Sequence, residues 1–184
     1  MLKRYIGFLL WLSPLLAIHG ICAGTLSQEQ PLPPAFREPF TVKFKFDKKT
    51  VEQKVERTPY VLDSTVYLYP GEDFGINIKR EGNEIVEVRY QPDAKKADVD
   101  FAFSVRKIGS HTMMTLATVN NLDKSLEMEG WMLLPGYDHT VKTSIMPVLP
   151  HVLGLETWPQ PLVMLQLQNL RLTKPPEGLS GPHP

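Results

Sequence analysis

Apolar residues recur at every second position along much of this chain, and few folds accept that period. Val42, Phe44 and Phe46 alternate with Thr41, Lys43 and Lys45, and Ile76 and Ile78 alternate with Asn77 and Lys79. Val86, Val88 and Tyr90 alternate with Glu87 and Arg89. Val99, Phe101, Phe103 and Val105 alternate with Asp100, Ala102 and Ser104. Successive side chains leave a strand on opposite faces, so each run lines one apolar face and turns the other to water. Antiparallel sheets with one solvated face carry this pattern.

Turn chemistry separates the runs. Asp47-Lys48-Lys49, Pro70-Gly71-Glu72-Asp73, Glu81-Gly82-Asn83, Gln91-Pro92-Asp93, Asn120-Asn121 and Pro135-Gly136 all fall between apolar stretches. Glu81-Gly82-Asn83 is short enough to close a hairpin. Further strands fit at 51–57, 61–69, 112–119, 126–134, 139–145 and 161–172. Strands at this spacing predict an all-β fold: one antiparallel β-sandwich of immunoglobulin-like appearance, with about ten short strands, over residues 39–173. Two runs change parity, Leu126 and Met128 against Trp131 and Leu133, and Leu165 and Leu167 against Leu170 and Leu172. An extra residue in a strand has this effect, which predicts bulges near Gly130 and near Gln168-Asn169. Only 94–99 and 122–126 suit a short helical turn.

The ends differ from this middle. Lys3 and Arg4 precede an apolar run from Ile6 to Ile18, and Ile21-Cys22-Ala23 follows. A basic start, a short apolar run and a small residue at the cut predict a secretory signal peptide over 1–23. The run falls short of the ~20 apolar residues that a membrane-spanning helix needs. Two other outcomes are an uncleaved anchor and a lipoprotein acylated on Cys22, although Ile21 is bulkier than the residue which that processing prefers. Residues 24–38 read as a Pro-rich leader with Pro31, Pro33 and Pro34, and 174–184 as a disordered Pro/Gly tail.

Cleavage after Ala23 removes the one cysteine, leaving no disulfide and no thiolate. No Asn stands two residues before Ser or Thr, so there is no N-glycan acceptor. Together these features point to a bacterial periplasm, with a membrane-tethered location as the alternative. Charge is balanced at 20 basic and 20 acidic residues, and losing Lys3 and Arg4 leaves 18 against 20, a formal −2. Such a chain offers no field for nucleic acid or an anionic membrane surface.

Catalytic signatures are sparse. His111, His139, His151 and His183 lack a partner at metal-binding spacing, and Ser110 and Ser144 lack a nucleophile elbow. Blue copper requires a cysteine that cleavage removes. Asp138-His139 suits a hairpin end as well as half of an acid–base pair. Asp93, Asp98 and Asp100 fit a solvated strand face better than a calcium loop. No catalytic residue, metal ligand or cofactor is therefore expected.

The segment 146–161 stands apart. Pro147, Pro150, Pro159 and Pro161 exclude a central strand or regular helix, yet Val148, Leu149, Val152, Leu153, Leu155 and Trp158 make the segment strongly apolar. It either plugs one end of the sandwich or docks a partner with Trp158 as anchor. The expectation is an exported, non-enzymatic binding, structural or assembly factor for a cell-envelope apparatus such as a secretion, conjugation or pilus system. Its partner would be another envelope protein, with membrane contact only through an uncleaved N-terminus or a lipidated Cys22. The rival classes are an envelope enzyme acting on sugars or lipids, which needs converging Asp, Glu or His, and a small-ligand carrier.

Overall fold

The computed structural model describes residues 34–176. The predicted signal peptide with Cys22, most of the leader and the end of the tail therefore lie outside the described residues. Fourteen strands follow one another: β1 (Phe36–Arg37), β2 (Phe40–Phe46), β3 (Lys49–Val55), β4 (Thr58–Pro59), β5 (Val61–Leu62), β6 (Thr65–Leu68), β7 (Glu72–Glu81), β8 (Glu84–Gln91), β9 (Val99–Ile108), β10 (His111–Asn120), β11 (Ser125–Leu133), β12 (Thr140–Thr143), β13 (Leu153–Trp158) and β14 (Met164–Thr173). One 3-10 turn, Ala94–Lys96, interrupts them where a helical turn was expected.

Ten of the strands form two five-stranded antiparallel sheets packed face to face as a sandwich. The first sheet runs β13-β10-β9-β7-β8 and the second β12-β11-β14-β6-β5. Alternation places Phe74, Ile76, Val99, Phe101, Phe103, Met114 and Leu116 of the first against Val66, Leu68, Leu126, Met128, Leu165 and Leu167 of the second. Each such side chain, once buried, contributes about 1.5–3 kcal/mol of transfer free energy.

The β2–β3 hairpin is a third layer. Val42, Val55, Phe40 and Phe44 lie on Tyr69, Met164, Tyr67 and Leu133, on the outer face of the second sheet. Phe46, at the hairpin tip, reaches the central core.

Several expectations need correction. The stretch 61–69 is not one strand, because Asp63 and Ser64 take φ of 47° and 59° and close a two-residue turn between β5 and β6. In β8 the ladder skips a residue between the partners of Lys79 and Arg80, so Ile85 rather than Val86 packs inward. Gly130 carries no bulge: it pairs with Leu167 in an unbroken ladder and stays on the buried face. A Cβ there would come within 2.7 Å of Ile145, which is why glycine occupies the site. Trp131 and Leu133 belong to the opposite, half-buried face. The bulge near Gln168-Asn169 is present: Glu127 and Glu129 face Arg171 and Gln168, and Asn169 takes φ 54°. That extra residue keeps Leu165, Leu167, Leu170 and Leu172 all in the core.

The fold also begins earlier than residue 39. Phe36–Arg37 pairs with Thr58–Pro59, and Arg37 is 5% exposed. Its guanidinium donates to both Glu72 carboxylate oxygens, to the Pro59 carbonyl at 2.5 Å and to the Tyr67 carbonyl at 2.6 Å. It also lies 3.8 Å over the Tyr60 ring, which in turn stacks on Tyr90 at 4.0 Å. A buried charge needs this degree of pairing to be tolerated.

Candidate functional site

The segment 146–161 neither loops out whole nor plugs an end whole; it crosses from one sheet to the other. Val148 exchanges both backbone hydrogen bonds with Leu126 at 2.9 Å, continuing the edge of the second sheet. The buried Asn120 amide donates to the carbonyls of Val148, Leu149 and Lys124, at 2.9, 3.1 and 2.8 Å. His151 then turns the chain at φ 56°, its N–H donating to the Asn120 carbonyl. β13 follows as an edge strand of the first sheet, paired from Leu153↔Val119 to Trp158↔Met114. The prolines flank this strand and none lies within it, so the exclusion of a central strand holds while the expectation of an unbroken loop does not. Gly154 permits the crossing, because a Cβ there would meet Val148 at 2.9 Å.

This arrangement divides the six residues singled out as a docking loop. Val148 and Trp158 are buried and belong to the core. Trp158 meets Phe103 edge-on, and its indole N–H donates to the Thr143 hydroxyl at 2.9 Å. A buried indole with its donor satisfied is a packing residue, which corrects its assignment as anchor. Leu149 is half-buried. Val152, Leu153 and Leu155 face outward at 43%, 60% and 56% exposure. Leu153 sits beside Val119, and Leu155 beside Ala117, which faces Ala102 in turn, so a short apolar strip crosses the outer face of the first sheet.

The free side of β13 has unused backbone groups. The Asn120 N–H donates to the Val152 carbonyl. Antiparallel alternation from that bond directs Gly154, Glu156 and Trp158 toward β10, and Leu153, Leu155 and Thr157 away from it. Among the described residues, β13 pairs only with β10. The other edges are guarded in different ways: β8 carries a bulge and the Arg89–Glu87 ion pair, β5 is two residues long, β12 is four residues long and carries Lys142, and β2 and β3, which pair only with each other, carry Lys43, Lys45, Lys49, Glu52 and Lys54. Bulges, charges and shortness are the usual guards against edge-to-edge pairing. β13 has Glu156, but that carboxylate is engaged with the Met146 N–H at 2.8 Å.

Beyond Trp158 the chain enters the wall of an open basin of about 1530 Å³. The β2–β3 turn, the β9–β10 turn, Leu134–Gly136 and Pro159–Pro161 converge around it. Lys45, Lys48, Lys49, Arg106 and Lys107 line it with His111, against Asp47 and Glu52. The turns predicted at Asp47-Lys48-Lys49 and Pro135-Gly136 gave no hint that they share one end of the sandwich, because strand order decides that.

The remaining titratable groups are dispersed. Asp138 accepts from His139 Nδ1 at 2.9 Å on an exposed turn, which holds the Asp138 carboxyl below its usual range. Asp98 accepts from the Ile78 N–H, and Asp93 caps the 3-10 turn through Lys95 N. Asp100 is different. Burial, then the nearby Asp73 charge, push its carboxyl upward, and its Oδ1 is buried without a hydrogen-bond partner. Among the described residues, no three of His, Cys, Asp and Glu gather as metal ligands would. Comparison with protein families, with curated proteins and with solved structures returned no match to this chain.

Proposed function

We propose that this chain is an exported, non-enzymatic binding or assembly factor of the bacterial cell envelope, which takes up an extended segment of a partner protein along β13. One observation carries the reading: an edge strand with a regular ladder to β10 on one side and no strand on the other among the described residues, which presents Leu153 and Leu155 to solvent beside its outward N–H and C=O groups. Strand addition to a sheet edge draws affinity from main-chain hydrogen bonds and specificity from alternate side chains. The basic start and apolar run of residues 1–23 support export, and the envelope machines that assemble by strand exchange are the natural setting.

The test is site-specific photo-crosslinking in living cells. A crosslinking amino acid at Leu155 should capture a discrete envelope protein, and one at Val86, exposed on β8 at the far edge, should not. Equal capture at both positions, or none at Leu155, overturns the reading. N-terminal sequencing of the recovered protein tests export separately, since a chain still beginning at Met1 refutes the cleaved periplasmic form.

A further inference from the structure

We infer that the segment added along β13 carries acidic residues at the end that reaches the basin, so that recognition combines strand pairing with charge. This rests on the strand-addition reading above and extends it. β13 runs from Leu153 to Trp158, and the next residues, Pro159 to Pro161, form part of the basin wall. A segment antiparallel to β13 therefore brings its N-terminal end to the basin. Each further residue advances it by about 3.3 Å, so three residues beyond the last pair extend roughly 10 Å into that space.

The basin's charge is unbalanced although the chain's is not. Lys45, Lys48, Lys49, Arg106 and Lys107 are all exposed, and among the described residues none of the five has a carboxylate partner. Of the two carboxylates on the lining, Glu52 is already held by Lys43 at 2.6 Å. The formal charge of the whole chain is zero, whereas this lining sets five cations against two carboxylates.

The chemistry of the cations indicates the occupant. Lysine ammoniums are point charges on flexible stems, whereas planar bidentate capture of a single phosphate or carboxylate favours arginine. The only arginine here donates its Nε–H to the Ser104 hydroxyl at 3.2 Å. Four mobile lysines suit a run of acidic side chains whose exact placement is loose. They share their basin with Pro159–Pro161, the residues that continue β13, and this continuity with an edge strand suits a polypeptide.

Labelled synthetic peptides titrated against the full chain test this. Each holds the same six-residue alternating Val/Thr strand, preceded by three Glu, three Gln or three Lys. The Glu peptide should bind about tenfold more tightly than the Gln peptide, since three exposed pairings are worth a few-fold each. The Lys peptide should bind most weakly, and the spread should collapse in half-molar salt. Lys45→Gln, Lys48→Gln and Lys107→Gln together should erase the Glu advantage and leave the Gln peptide unchanged. Leu155→Pro removes an outward N–H and should weaken all three peptides. Equal binding of the Glu and Gln peptides, with Leu155→Pro weakening both, refutes the basin inference and leaves the edge reading standing. Binding of the Glu peptide that ignores Leu155→Pro refutes the strand-linked form, as does its displacement by one-millimolar inorganic phosphate. Failure of every peptide to bind refutes both.

Discussion

The two sides of this sandwich solve the same problem in opposite ways. On the side where β8 approaches β5, a short β1–β4 ladder, the Tyr60–Tyr90 stack and the buried Arg37 close the gap. On the other side the chain crosses from the second sheet to the first, and β13, which it lays down there, pairs with β10 on one side and with no strand on the other among the described residues. Closure demands a charged side chain with four hydrogen bonds and aromatic cover. The free edge has instead two exposed leucines. The contrast teaches that β13 is not unguarded for want of means, since the same fold blunts an edge elsewhere.

Substitutions can break this contrast, and the largest effect should come from the closed side. Arg37→Ala strands the Glu72 carboxylate with only the Tyr69 N–H as donor, and should cost about 3–5 kcal/mol. Chemical denaturation of the purified domain measures it, and a loss under 1 kcal/mol would mean that the latch is ornamental. Trp158→Ala empties the core beneath β13 and should cost a similar amount, about 3–5 kcal/mol. If its melting temperature barely moves, Trp158 is free to face a partner after all.

A smaller effect should appear at Asp100, on the outer face between these regions. Its folded carboxyl titrates above the ordinary range, chiefly through burial. The protonated form therefore favours the fold, and this contribution is complete below the ordinary carboxylate pKa and lost as pH rises through the raised value. Asp100→Asn should raise the melting temperature at pH 7, and the gain should vanish as pH falls into the ordinary carboxylate range. A gain that is constant with pH would show that charge is not its cause. The least effect on stability belongs to Leu155→Lys, within about 0.5 kcal/mol, while capture of the partner should fall by tenfold or more. A stability loss above 2 kcal/mol would reveal that the strip is core.

The layered architecture was legible in the alternation alone, because one buried face per strand leaves few alternatives. The hairpin at Gly82 and the bulge at Asn169 were legible too, from glycine chemistry and from parity. What failed was parity read without context. Gly130 has no side chain to announce its face, and Val86 sits on a bulge that brings Ile85 inward. Of the docking loop, the sequence correctly marked an unusual segment, but neither composition nor spacing reveals that Gly154 makes room for Val148 or that Trp158 lies under Phe103. The role of Arg37 was invisible because it acts through groups far away in sequence, and Asn120 was legible only as part of a turn because two of its three carbonyl partners, Val148 and Leu149, lie in a distant segment. The basin was equally hidden, its cations coming from two turns that only the topology brings together.

The crossing segment has a mechanical consequence. β13 is fastened at one end by Val148, which is hydrogen-bonded to Leu126 and seated on Gly154, and at the other by Trp158, which is buried beside Phe103. Tension applied along this strand by a partner would load both sheets in shear at once, many bonds bearing it in parallel, instead of peeling one edge away bond by bond. Whatever pairs along β13 therefore pulls on a strand tied down at both ends, not on a free flap.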